Sequence, residues 1–260
     1  MRAYESCAAC NRYSHIQVFL VRVKLASEER AKEDLKFQPQ IKFMDVIFLG
    51  MNPAGEKVLD WLRNKDDVNV LEVVEDTNGL QKIKELGPEL VISSGYEHIV
   101  PEEINNIPDR GIVNLHPSYL PHNRGAHPYI WPLVDGSPAG VSIHYMNESI
   151  DEGPVISRRI VEKKPDDTAY SLRERLMQEQ ANLFIESWER ILDGESKEQE
   201  LEKGSYHVSA DLDEISELDL EEEMTLGEAL DLLRGLTYDG GLASFEKDGK
   251  RFTVSVEIEE

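Results

Sequence analysis

From Ile41 onward the apolar residues fall into short runs separated by amphipathic stretches. IKFMDVIFLG ends on Gly50; Asn52 is a capping residue and Pro53 suits a first helical turn, after which Val58, Trp61 and Leu62 share one helical face. Strand, turn and helix are predicted there. The pattern returns with VNVLEVV (68–74) followed by GLQKIKEL, then with ELVISSG (89–95) and GIVNLH (111–116). Continuous Val/Ile/Leu strands alternating with helices predict a parallel sheet covered on both faces. Further on, Pro154 to Val161 reads as another strand, and Thr168 caps a helix running to about Leu192. Leu172, Leu176, Phe184, Trp188 and Ile191 lie on one face of that helix with Gln180 in the same line, which predicts a core-facing helix.

The expected class is therefore α/β, a Rossmann-like mostly parallel sheet with helices on both faces. Four segments are expected. Residues 1–40 read as an extension of unclear role, with one apolar run and a charged stretch; Cys7 and Cys10 lack the second ligand pair that a structural zinc site needs, and Met44 is a later candidate start. Residues 41–194 form the main domain and the polar ESKEQELEKG run, 195–204, reads as a linker. From 205 to 260 the composition changes: 16 Asp and Glu stand against 4 Lys and Arg, a net of 4 − 16 = −12. A helical pattern near Thr225 to Leu236 and an Asp248-Gly249 turn between two Phe-containing runs predict a small α+β appendage with a hairpin.

Charge changes the picture of partners. The whole chain carries a formal net charge of −23, with 40% hydrophobic and 30% charged residues. Phosphate backbones are repelled, so no nucleic-acid partner is expected, and a salt-adapted host is one source of such acidity. No run approaches a membrane span, only two cysteines occur, and no secretory leader pattern opens the chain, so a cytoplasmic protein with no membrane partner is expected. A hairpin edge in the tail is compatible with a homodimer.

Chemistry concentrates in NLHPSYLPHNRGAHPYIWPLVDGSPAGVSIHYMNESID, residues 114–151, which holds His116, His122, His127 and His144, four of the chain's 7 histidines. In a sheet of this class, ligands gather outside the carboxyl ends of the strands, which brings Gly50, Ser93 to Tyr96 and Asn114 to His116 to one rim. The first turn, Gly50-Met51-Asn52-Pro53, is not a GxGxxG fingerprint, which disfavours a dinucleotide enzyme. Two residues apart on a strand, Asn114 and His116 point to the same side and present an amide NH2 and an imidazole together, a pair able to hold a developing oxyanion. Asp151, in the loop after VSIHYMNESI, is the candidate carboxylate to charge and orient His116. A metal site built from His116, His122, His127 and Asp151 lacks a register that would converge these side chains, so no metal is expected.

NLHPSYLPHNRGAHP followed by GVSIHYMNESIDEGPVI resembles the signature of the formyltransferases that use 10-formyltetrahydrofolate, over about Met44 to Leu192. The resemblance implies a catalytic trio of Asn114, His116 and Asp151, with 10-formyltetrahydrofolate as donor. It implies folate contacts at Ser93, Ser94, Gly95, Tyr96, Met146, Asn147 and Ile150. It also implies acceptor contacts at Ser118 and Tyr119, with Asn123, Arg124 and His127 in the loop that shapes the acceptor pocket; His144 reads equally as structural or central.

Within the family, the glycine-rich loop of the purine-pathway enzymes is absent, and a tail of net −12 opposes a grip on tRNA. RGAHPYIW, SPAGVSIHYMNESIDEG and the short tail are most similar to enzymes that formylate 4-amino-4,6-dideoxy sugars on dTDP or GDP, and imply an amino-sugar nucleotide as substrate. Methionyl-tRNA formyltransferase-like activity and formyltetrahydrofolate hydrolysis by the same trio are the alternatives.

Overall fold

A computed structural model describes residues 43–238 and 241–259, so expectations for residues 1–40 lie outside the described residues. The elements in chain order are β1 (Met44–Leu49), α1 (Pro53–Arg63), β2 (Val68–Val74), α2 (Gln81–Leu86), β3 (Leu90–Ser94), α3 (Glu102–Asn105), β4 (Ile112–His116), β5 (Arg124–Gly125), α4 (Trp131–Val134), β6 (Gly140–Tyr145), β7 (Val155–Ile160), α5 (Ala169–Glu186), α6 (Trp188–Asp193), β8 (Tyr206–His207), α7 (Ser209–Ser216), α8 (Leu226–Gly235), β9 (Ala243–Lys247) and β10 (Lys250–Val254).

The central sheet has the order β2-β1-β3-β4-β6-β7, and the first four strands are parallel. β6 runs antiparallel to β4, and β7 antiparallel to β6. Only the loop 146–154 joins β6 to β7, too short for the crossover that a parallel pair demands. Two faces are covered, as the strand composition predicts. Val46 and Phe48 of β1 are buried on the side of α1 and α5, while Ile47 and Leu49 are buried with Ile83 of α2 and Ile104 of α3. Alternation along one strand thus feeds two cores. On the first side Trp61 of α1 meets Phe184 and Trp188 edge-on, with ring centroids 6.2 and 5.3 Å apart.

Asn52 caps α1, accepting from Gly55 N at 2.8 Å, with Pro53 in the first turn. Thr168 and Ser171 form a reciprocal capping box at the start of α5. The helix expected to run to Leu192 is divided: Ser187, with φ −92° and ψ 1°, separates α5 from α6, and its N–H is shared between the Leu183 and Phe184 carbonyls. Buried Trp188 and Ile191 nevertheless continue the core face.

Past α6 the polar run 195–204 is attached to the sheet. Lys197 exchanges both backbone hydrogen bonds with Val155, each 2.8 Å, at the first residue of β7. β8 pairs with β5 in parallel. Leu212, Leu236 and Ala243 are buried in the same cluster as Ile130 and Trp131, so the C-terminal elements share that core. β9 and β10 form the predicted hairpin, with Asp248 and Gly249 both at positive φ, 53° and 70°. Two positive angles are what a tight hairpin of this length requires.

Candidate active site

The chain leaves β1 for β2 on one side and returns to β3 on the other, so the crevice opens at the carboxyl ends of β1 and β3. The loops there touch closely. A Cβ on Gly50, whose φ is +75°, would lie 2.4 Å from Tyr96 N, and glycine alone admits that approach. A cavity of about 980 Å³ starts at this point and extends past β4 to the C-terminal elements.

Asn114 and His116 stand on alternate positions of β4 and both line the cavity. The antiparallel register sets Asn114 directly opposite His144 of β6, and Asn114 Nδ2 lies 3.2 Å from His144 Nε2. His144 Nδ1 is 2.9 Å from the Tyr145 carbonyl, so that nitrogen carries the proton and Nε2 accepts from Asn114 in the neutral ring. Asp151 returns over the rim from the β6–β7 loop with φ 56°, an unusual angle for a residue with a side chain. Its Oδ2 accepts from Gly125 N at 2.9 Å and lies 3.5 Å from His116 Nδ1, while Oδ1 lies 3.5 Å from His144 Nε2. One carboxylate therefore faces two imidazoles, whose rings are edge to face at 6.3 Å.

His116 Nε2 is 3.1 Å from the Asn123 carbonyl. Burial pushes the His116 pKa below its ordinary 6.5, and although Asp151 pulls it upward, the net direction is down. The charged imidazole anticipated from the residue types is thus a neutral ring in the free site at neutral pH, because loss of hydration outweighs a carboxylate at 3.5 Å. Asp151 is also buried, which opposes ionisation, yet His116, His144 and the Gly125 N–H hold its carboxyl well below the usual range.

A second layer fixes the aspartate. Gln199 Nε2 donates to the carbonyls of Asp151 at 2.9 Å and Gly153 at 2.8 Å. Gly153 lies so close to the end of β6 that a Cβ would sit 1.9 Å from the Tyr145 carbonyl oxygen. Arg124 pairs with Glu152 between these two residues. No sequence signal marked Gln199, since the run around it has neither periodicity nor a motif.

Of the residues expected at folate, Gly95, Tyr96, Met146, Asn147 and Ile150 line the cavity. Ser93 and Ser94 do not: both are fully buried at the end of β3, and Ser94 Oγ donates to the α1 cap, Asn52. Among the expected acceptor contacts, His127 lines the cavity. Ser118 and Tyr119 stand off it, Ser118 fully buried and Tyr119 under the Arg158 guanidinium at 4.5 Å. Asn123 is buried with its amide bonded to Ser137 and Ser205, and Arg124 is taken up by Glu152 and the Ser205 carbonyl. These two polar side chains are consumed in holding the loop to the run that precedes β8. His122 is also off the cavity, while Asn105, Tyr129, Arg173, Tyr206, His207 and Tyr238 line it without having been singled out. His207 is stacked on Trp131 at 4.0 Å, so residues distant in sequence build the far wall.

Comparison with known proteins places this geometry. A family model described as formyl transferase matches residues 58–187, and one described as N-formyltransferase dimerization C-terminal domain matches residues 211–260. The chain belongs to the formyl transferase family. A dTDP-4-amino-4,6-dideoxyglucose formyltransferase of Mycobacterium bovis is 33% identical over 150 residues, 56% of this chain and 64% of that protein. A methionyl-tRNA formyltransferase of Thermodesulfovibrio yellowstonii is 37% identical over 124 residues, 47% of this chain and 40% of that protein. The chain thus spans less than two thirds of the length of these curated relatives. The crystal structure of the formyltransferase PseJ from Anoxybacillus kamchatkensis, in complex with UDP-4,6-dideoxy-4-formamido-L-AltNAc and tetrahydrofolate, superposes with a TM-score of 0.58 at 31% identity, covering 65% of this chain and 88% of that one.

Proposed function

We propose that this chain transfers a formyl group from 10-formyltetrahydrofolate to the amino group of a nucleotide-linked 4-amino-4,6-dideoxy sugar carried on dTDP or GDP, with Asn114, His116 and Asp151 as its catalytic residues. The observation that carries this reading is the Asp151 carboxylate set between His116 and His144, with Asn114 beside them, on one open cavity in a chain of this family.

The cavity wall fits a pterin. Among the described residues Asn105 Oδ1 is buried without a protein partner while its Nδ2 donates to the Met146 carbonyl, leaving an acceptor for a ligand N–H. Gly95, Tyr96, Met146, Asn147 and Ile150 complete that wall. When bound, 10-formyltetrahydrofolate supplies the formyl carbon that the amine attacks. Asn114 gives one amide N–H to His144 and has a second free for an oxygen gaining negative charge. His116 is neutral beforehand; a second anion developing beside Asp151 favours the imidazolium, so the ring takes up the amine's proton as charge builds and returns it to N10 of the departing tetrahydrofolate as the bond between N10 and the formyl carbon breaks. Once His116 is charged, Asp151 accepts from its Nδ1–H and holds the ring in place. We propose in addition that residues 41–194 form the catalytic domain and 205–260 a subdomain used in homodimerisation, as the description of the C-terminal family model suggests.

Methionyl-tRNA is the second reading, favoured by the 37% identity to such an enzyme. A net charge of −23 opposes it, since phosphate neutralisation supplies much of nucleic-acid affinity. Purified protein incubated with 10-formyltetrahydrofolate and separately with dTDP-, GDP- and UDP-linked amino sugars, methionyl-tRNA, or no acceptor decides between them. Formamide on an amino sugar is expected. Formylated tRNA, or formate release without any amine, would replace the sugar reading.

A further inference from the structure

The cavity has a second end beyond His127. Among the described residues that line it, Arg173 of α5 is the only arginine or lysine. Its Cζ lies 6.0 Å from the ring centroids of both Tyr129 and Tyr238, and these rings are 5.2 Å apart. Tyr129 precedes α4 and Tyr238 follows α8, so two distant parts of the chain meet around one guanidinium. Burial, and then the Tyr238 phenol to which it is hydrogen-bonded, push the Tyr129 phenol up to about 12, so the two phenols form one neutral polar wall beside the guanidinium. His127, with its ring edge-on to Tyr129 at 6.4 Å, links this end to the Gly125 turn that binds Asp151. Within the chain the Arg173 charge is met by Glu174, its neighbour in sequence, whose side chain is half exposed.

A chain of net −23 repels a nucleoside diphosphate unless a local cation offsets that field. Glu97, whose charge reaches the Tyr129 phenol, adds to the repulsion. A guanidinium suits phosphate oxygens better than any other side chain, because its donors match them two at a time. We propose that Arg173, with the Tyr129 phenol beside it, receives the diphosphate of the nucleotide-linked acceptor. The inference rests on the acceptor reading above. The same guanidinium chemistry would serve the carboxylates of a folate glutamate tail, and the binding experiment separates the two sources.

Calorimetric titration of the full chain with dTDP, GDP, UDP and, in a separate arm, tetrahydrofolate tests it, using wild type, Arg173→Gln and Arg173→Lys. Wild type is expected to bind at least one diphosphate, Arg173→Gln to bind it at least about tenfold more weakly, and Arg173→Lys to recover part of the loss. Tetrahydrofolate affinity is expected to stay unchanged in both variants. A diphosphate affinity unaltered in Arg173→Gln overturns this inference while leaving the acceptor reading in place. Loss of tetrahydrofolate binding instead assigns Arg173 to the folate tail and overturns it also. Wild type that binds none of the three diphosphates removes the acceptor reading together with the inference. Unchanged circular dichroism and melting of Arg173→Gln confirm that a folded protein was titrated.

Discussion

Gln199 holds Asp151 by its backbone: one side-chain amide donates to the Asp151 carbonyl at 2.9 Å and to the Gly153 carbonyl at 2.8 Å. The carboxylate that faces His116 and His144 stands on a residue at φ 56°, and a conformation of that kind persists only where its surroundings enforce it.

Gln199→Ala is accordingly expected to lower kcat for formyl transfer by about tenfold to a hundredfold, the scale of a misplacement of about 1 Å, with KM for donor and acceptor changing far less. Gln199→Glu, which keeps the shape and loses both donated hydrogens, is expected to behave like the alanine variant. Steady-state kinetics of the two check this; a Gln199→Glu enzyme with wild-type kcat would show that the amide does not position Asp151.

Asp151→Asn and Asn114→Ala address the reacting centre. Each is expected to cut kcat/KM by at least about a hundredfold while the protein stays folded, since oxyanion donors and acid–base groups contribute on that scale. Their combined loss is expected to fall short of the product of the two, because Asn114 and Asp151 both contact His144. A double variant that loses the full product would mean that they act separately.

Gly153→Ala introduces a Cβ about where the Tyr145 carbonyl oxygen now lies, at 1.9 Å. Backbone on both sides must move, and the displacement reaches Asp151 within two residues. A fall in stability of about 2 kcal/mol or more, with activity lost beyond what melting explains, is expected from calorimetry and assay at low temperature.

The response to acid follows from His116. Its folded pKa lies below the ordinary 6.5 because of burial, so between the two values the unfolded chain binds more protons than the folded one. Stability is then expected to be full above about 6.5 and to fall as the pH drops from there toward the folded value. Asp151, also depressed, keeps its contribution through this window and loses it only at stronger acidity. Melting temperatures between pH 7.5 and 5 should decline for wild type and decline less for His116→Asn; parallel curves would remove His116 as the cause. Some slope remains in the variant, because burial also lowers His127 and His207.

Much of the fold was legible from the chain alone, because strand and helix periods are local. The run IKFMDVIFLG, the Asn52-Pro53 helix start, the Thr168 cap and the Asp248-Gly249 turn each encode their element within a few residues, and the structure shows all of them. Asn114 and His116 were legible for the same reason, being two apart on one strand. Tertiary structure alone decided the rest. His144 enters the site because β6 runs antiparallel to β4 in the register that sets it opposite Asn114. Asn123 and Arg124 turn away because Ser205 and Glu152 satisfy them. Arg173 and Tyr238 reach the cavity wall, and Gln199 reaches the Asp151 backbone, by contacts between segments far apart in sequence. No periodicity carries such contacts, since which polar group meets which depends on how separate elements pack, and burial, which holds His116 neutral, exists only once they have packed.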